Sequence, residues 1–215
     1  MIFLIGFKLI DNFKIKENND IKINLEDEQL GDYTLIKNKN FSYHNTSERN
    51  KKIEYIVIHY TGEELSAPIY IELFNDSNTT HASADYFVDF NGDIYQYNLE
   101  IDDRYTWAVG GENENSLGGS LYNIVNNENS ISIELCVRRN GAIGANMEGW
   151  NFNFSTLDAT VELVRYLMEK YGISIDNVIR HYDVNGKFCP GIIGWNKDSG
   201  SEKAWLNFKE KISLH

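Results

Sequence analysis

Ile53-Glu-Tyr-Ile-Val-Ile-His-Tyr60 is a nearly unbroken apolar run, rich in β-branched residues and closed by Thr61-Gly62. Such a run fits a strand covered on both faces, as in a parallel sheet with helices packed against it. On its C-terminal side, Ser66 to Phe74 predicts a short helix, with Ser66 as cap and Pro68 in the first turn. Tyr86-Phe-Val-Asp-Phe90 and Ile94-Tyr-Gln-Tyr97 flank Asn91-Gly92, a hairpin signal. Ser130 to Val137 reads as another strand. Ser155-Thr-Leu-Asp158 resembles a capping box opening a helix. That helix has Leu157, Val161, Val164, Leu167, Met168 and Tyr171 as its apolar stripe and Gly172 as its stop. Asn177 to Arg180 is a short strand, and Ser201 to Ile212 a last amphipathic helix presenting Trp205, Phe208 and Ile212. Strands alternate with helices, so the expected class is α/β: a mixed central β-sheet flanked by helices.

The 215 residues suffice for one domain with a real core. At 42% hydrophobic and 13% aromatic, the chain has enough apolar surface to fold. Lys and Arg number 20 against 32 Asp and Glu, a net charge of −12. Phosphate backbones are held by Lys and Arg, so nucleic-acid binding is excluded as the main task. No run of about 18 apolar residues appears, so no membrane insertion is expected. Two cysteines make no disulfide scaffold. The opening Met1 to Ile10 is apolar but lacks a basic start and a small-residue cleavage site. The expectation is synthesis in the cytoplasm without a clear signal peptide. Nothing in the sequence specifies an oligomeric state.

Charge is uneven along the chain. Residues 1–52 hold 9 basic and 8 acidic residues; the remainder holds 11 and 24. The polar run His44 to Lys52 reads as a loop or linker. We therefore expect residues 1–45 to be an N-terminal extension of unassigned role, with strand-like patches at Ile21–Leu25 and Tyr33–Ile36, and residues 46–215 to be the main domain.

Two of the five histidines sit at the ends of apolar strands. His59 ends Tyr55-Ile-Val-Ile-His59, and His181 follows Asn177-Val-Ile-Arg180. In open α/β sheets, ligands gather at strand carboxyl ends. Eight residues past His181 comes Cys189, on a stretch made to turn by Asn185-Gly186 and Pro190-Gly191. Two imidazoles and a thiolate suffice for a catalytic zinc site, which leaves a fourth position for water. Spacing alone does not separate that site from a pair of structural histidines and a buried thiol. Glu134 lies in Ile131-Ser-Ile-Glu-Leu-Cys136 and by period two points away from Ile133 and Leu135. A carboxylate among such neighbours is seldom enclosed without a partner or a task. Glycine and polar residues in Gly110 to Gly119 suggest a mobile rim beside the cleft.

Several ordered blocks carry a resemblance: Tyr55-Ile-Val-Ile-His-Tyr-Thr61, Ala82-Ser-Ala-Asp-Tyr-Phe-Val88, Trp107-Ala-Val-Gly110, Asn129-Ser-Ile-Ser-Ile-Glu-Leu135, and Arg180-His181 through Lys187-Phe-Cys-Pro-Gly191. In these, residues 53–195 resemble the type 2 zinc-dependent N-acetylmuramoyl-L-alanine amidases, relatives of phage endolysins and peptidoglycan recognition proteins. The resemblance implies a peptidoglycan hydrolase acting on the cell wall, a lytic endolysin or autolysin, with muropeptide as partner and Zn2+ as cofactor. It implies His59, His181 and Cys189 as zinc ligands, Glu134, Lys187 and Tyr86 as catalytic candidates, and Trp107 as a substrate contact. Many relatives have His where this chain has Asp85, and Trp-His-Ala-Gly where it has Trp107-Ala-Val-Gly110. A non-catalytic recognition module is the alternative; retention of all three ligand types favours the enzyme.

Overall fold

The computed structural model describes residues 25–38, 41–76, 78, 81–139 and 149–214. The signal-like opening, most of the Ile21–Leu25 patch and His215 lie outside the described residues. The strands are β1 (Leu25–Leu30), β2 (Tyr33–Asn38), β3 (Thr46–Glu48), β4 (Tyr55–Tyr60), β5 (Tyr86–Val88), β6 (Ile94–Gln96), β7 (Arg104–Thr106), β8 (Ser130–Leu135), β9 (Arg138–Arg139), β10 (Trp150–Asn151) and β11 (Val178–Arg180). The helices are α1 (Ala67–Asn75), α2 (Phe154–Tyr171), α3 (His181–Asn185) and α4 (Lys203–Ser213).

Seven strands form one mixed sheet in the order β1-β2-β6-β5-β8-β4-β11. The centre is parallel: β4 lies between β8 and β11, and β5 runs parallel to β8. The β5–β6 hairpin is antiparallel, as Asn91-Gly92 requires. Helix α2 packs on one face. Its Leu163, Val164 and Leu167 join Ile56, Ile58, Ile131, Ile133 and, from α4, Trp205 and Phe208 in the main core. Fully burying side chains of this size stabilises by about 1.5–3 kcal/mol each. The opposite face carries α1, whose Tyr70 and Ile71 pack with Phe87 and Tyr97, and a smaller group of Val57, Ile179, Val109, Val125 and Val184. The sheet is thus covered on both sides, the mixed α/β architecture the alternation of elements predicts.

Three local expectations change. The run His44 to Lys52 is not all loop, because Thr46–Glu48 pairs antiparallel with β7. Arg49 is buried there and donates to the carbonyls of Ile101 (2.9 Å), Glu128 and Ser130 (3.2 Å). A polar composition hides an arginine that serves as an internal donor. Helix α2 begins at Phe154 with Asn153 as N-cap, so Ser155 falls inside the first turn and caps nothing. Helix α1 starts after Ser66, but that side chain makes no capping bond either. The β1–β2 hairpin, which precedes the expected boundary at residue 46, joins the central sheet through the parallel pairing of β2 with β6. Tyr33 fastens it to α2 by a 2.7 Å hydrogen bond to Asp158. Among the described residues, no helix is long and apolar enough to cross a membrane.

Candidate metal centre

The register of three neighbouring parallel strands builds the site. Ile58 pairs with Arg180, so His59 and His181 stand one step beyond, side by side at the carboxyl ends of β4 and β11. On the other side of β4, His59 pairs with Glu134 of β8. Paired residues share a face, so His181, His59 and Glu134 form a row across the end of the sheet. The loop after α3 returns to close it. The Tyr182 N–H donates to the Cys189 carbonyl at 2.9 Å, and the Asn185 side chain accepts from the Lys187 N–H at 3.0 Å.

Cys189 Sγ lies 3.7 Å from His59 Nδ1. The two imidazole rings meet edge to face, centroids 4.8 Å apart. One ligand atom from each of His59, His181 and Cys189 falls within 4.8 Å of the others, and all three side chains are buried. Burial, then the charges of His181 and Lys187, hold His59 well below its ordinary 6.5. Burial and then Lys187 bring His181 down to about 3, against the Gly110 hydrogen bond that raises it. Burial thus favours the neutral form of both rings, the form a metal requires. Burial, reinforced by Glu134, pushes the Cys189 thiol up to about 12. A thiolate there needs a cation beside it. Both cysteines are free thiols, so no disulfide competes for Cys189.

Burial lifts the Glu134 carboxyl to about 8, opposed by Lys187. Its Oε2 is enclosed with no hydrogen-bond partner. Lys187 is half-buried and close enough to act on the charge of both imidazoles, Glu134 and Cys189. Five of the residues singled out in the sequence thus converge: His59, His181, Cys189, Glu134 and Lys187.

Tyr86 does not join them. It pairs with Ile133 and packs in the main core with the α2 residues, while its neighbour Phe87 pairs with Glu134. Period two puts Tyr86 on the far face of the sheet. Trp107 is half-buried, its indole N–H donating to Ser47 of β3 at 3.1 Å and its backbone N–H to Ser83 at 2.9 Å. Asp85 is buried and accepts from the Asn98 side chain and the Ser132 N–H, both at 2.8 Å, which ties β5 to β8. His81 is exposed. His44 Nδ1 is hydrogen-bonded to the Ser42 hydroxyl, away from the strand ends.

The expected mobile rim is fastened. Glu114 N donates to Asn185 O (2.6 Å), Ser116 Oγ to Gly186 O (3.0 Å), Gly119 N to Tyr182 O (3.0 Å) and Leu121 N to Asp183 O (2.9 Å). Gly118 is required by contact, since a Cβ there would stand 2.4 Å from the Tyr182 carbonyl oxygen. Asn185, which the sequence marks only as a turn residue beside Gly186, also belongs to the site. It is buried, and its side chain donates to the Gly110 carbonyl at 2.9 Å.

The profile of the N-acetylmuramoyl-L-alanine amidase family matches residues 49–192. Over 163 residues the chain is 28% identical to N-acetylmuramoyl-L-alanine amidase CwlA of Bacillus subtilis, covering 75% of this chain and 49% of that protein. Over 86 residues it is 35% identical to the amidase CwlL of Bacillus licheniformis, covering 40% of this chain and 20% of that one. The chain therefore spans between a fifth and a half of these curated relatives. The solution structure of the PlyG catalytic domain superposes with a TM-score of 0.58 at 26% identity, covering 83% of this chain and 93% of that one. With two-thirds of its length matched, and the matched part holding all five converging residues, the chain belongs to the N-acetylmuramoyl-L-alanine amidase family.

Proposed function

We propose that this chain is a zinc-dependent peptidoglycan hydrolase that cuts the amide between N-acetylmuramic acid and the L-alanine of the stem peptide. The observation that carries the reading is the buried convergence of His59, His181 and Cys189, with Glu134 beside His59, in a member of this family. The donors suit zinc: two neutral imidazoles and one sulfur, enclosed and within reach of one ion. Held there, zinc would act as a Lewis acid toward the scissile carbonyl and acidify the attacking water.

The chain's own side chains do the rest. Glu134 takes the proton of the attacking water on a carboxylate oxygen and returns it to the leaving amine. Its Oε2 is enclosed without a hydrogen-bond partner, so that oxygen is open to the proton. The Lys187 ammonium offsets charge on the tetrahedral oxyanion; losing one such donor costs about 10²–10³ in rate. Residues 46–215 form the catalytic unit, with the β1–β2 hairpin as an added sheet edge. Trp107 contributes to substrate contact, and Tyr86 supports the core behind the site. The enzyme acts on the bacterial cell wall, as a lytic endolysin or autolysin.

The test pairs metal analysis with digestion of purified cell walls. The chain should hold one zinc and release stem peptides with free L-alanine amino ends, leaving lactyl carboxylates on the glycan, an activity abolished by chelator and restored by zinc. Cys189→Ala should lose both zinc and activity. Fragments cleaved at another bond, or undiminished activity in the zinc-free protein, overturn the proposal.

A further inference from the structure

A carbonyl oxygen can only accept a hydrogen bond. The Gly110 carbonyl stands 3.2 Å from His181 Nε2, so that ring nitrogen carries the proton and Nδ1 keeps the lone pair. The same carbonyl accepts a second bond, 2.9 Å, from Asn185 Nδ2. The other end of that amide accepts from the Lys187 backbone N–H at 3.0 Å. Asn185 is 3% exposed, so both ends of its side chain are engaged out of water. A buried amide of this kind is costly to leave unpaired and rigid when satisfied. Gly110 belongs to the loop after β7, where glycine gives no side chain to hold the backbone. Gly111 next to it has φ +106°, and a Cβ there would stand 3.1 Å from Asn185 Nδ2.

We propose that Asn185 is a positioning residue that fixes the Nε2–H tautomer of His181 through the Gly110 carbonyl and sets the backbone from which Lys187 projects. This rests on the reading of His181 as a metal ligand. Outer partners of ligating histidines orient the ring and hold its tautomer; their loss costs about 10–100-fold in metal affinity or activity. Asn185 acts one bond further out, on the partner itself. With the amide gone, the Gly110 carbonyl is free to turn away and the His181 ring to exchange tautomers.

The test compares the parent, Asn185→Ala and Asn185→Ser by two readouts. Zinc affinity is measured by chelator competition on the full chain. The His181 tautomer is read from long-range 1H–15N correlations of the imidazole. The parent should show Nε2–H, and both variants should fold cooperatively, bind zinc about 10–100-fold more weakly and show mixed tautomers. Ser is small enough to admit water, which guards against a variant that fails to fold for want of volume. Parent-like zinc affinity with an unchanged His181 pattern in either folded variant overturns the proposal. A parent that binds no zinc yet shows an Asn185-dependent tautomer refutes the metal reading and leaves the positioning role standing.

Discussion

Replacing Glu134 by Gln should stabilise the metal-free protein, and the gain should grow with pH. Burial raises the carboxyl from an ordinary 4.5 to about 8, and Lys187 only partly offsets this. An acid whose folded pKa exceeds its unfolded one binds more protons folded than unfolded between the two values. Stability is therefore fully present below about 4.5 and is lost as pH climbs through about 8. At about 1.36 kcal/mol per pH unit, that interval is worth at most about 5 kcal/mol. The effective dielectric at a half-open strand end reduces it, and about 2–3 kcal/mol is expected. Gln does not titrate and loses no stability over that range. For a chain of this length about 1 kcal/mol moves Tm by about 2–4 °C. The variant should then melt about 5–10 °C above the parent near pH 9, with the difference shrinking toward pH 5.

The assay is thermal unfolding by circular dichroism from pH 5.5 to 9, with a chelator removing divalent ions from both proteins. The zinc-loaded variant should meanwhile lose about 10²–10⁴ in wall-digesting rate, as expected for a missing general base. Higher stability with lower turnover is the signature of a group held in an unfavourable state for its chemistry. Parallel melting curves across pH, or a variant less stable than the parent at pH 9, would refute the account of Glu134.

The remaining expectations concern its surroundings. Gly191→Ala places a Cβ 2.4 Å from the Tyr60 hydroxyl oxygen and 2.8 Å from its ring carbon, with the Phe188 carbonyl at 3.1 Å. The Cys189 loop must give, so urea unfolding should show a loss of about 1–3 kcal/mol, and zinc affinity should fall with it. Arg180→Met strands Asp183 and Glu202, which Arg180 bridges at 2.6 and 2.7 Å while donating to the Trp195 carbonyl. Both carboxylates stay partly exposed and Asp183 keeps the Arg180 backbone N–H, so the loss by the same titration should be about 1.5–3 kcal/mol, and parent-like stability would show the pairs idle. Tyr86→Phe should keep wall digestion within a few-fold of the parent, because Tyr86 faces the core, whereas Lys187→Ala should keep zinc and lose about 10²–10³ in kcat. Equal losses in those two variants would place Tyr86 in the chemistry after all.

What could be read from the sequence, and what could not, follows the range of the forces involved. His59 and His181 announce themselves because a polar ring ending an apolar β-branched run is a local anomaly. Glu134 does so for the same reason inside Ile131-Ser-Ile-Glu-Leu135. Period two even gives the face of Glu134 correctly. Applied to Tyr86 it would have shown the opposite face, had the partner of β5 been known; the pairing of Tyr86 with Ile133 is a fact of strand order, fixed by contacts 47 residues apart. Arg49 and Asn185 were harder, since polar residues in polar stretches look like solvated loop. Arg49 finds its carbonyls on residues 101, 128 and 130, and Asn185 finds Gly110, 75 residues away. The rim follows the same logic. Gly118 stands against Tyr182, and Gly111 and Gly119 against Asn185, so these three glycines mark where the loop is pressed against α3. A loop held in that way keeps the Gly110 carbonyl against His181, so the contacts that fasten the rim also bear on how that ring is presented.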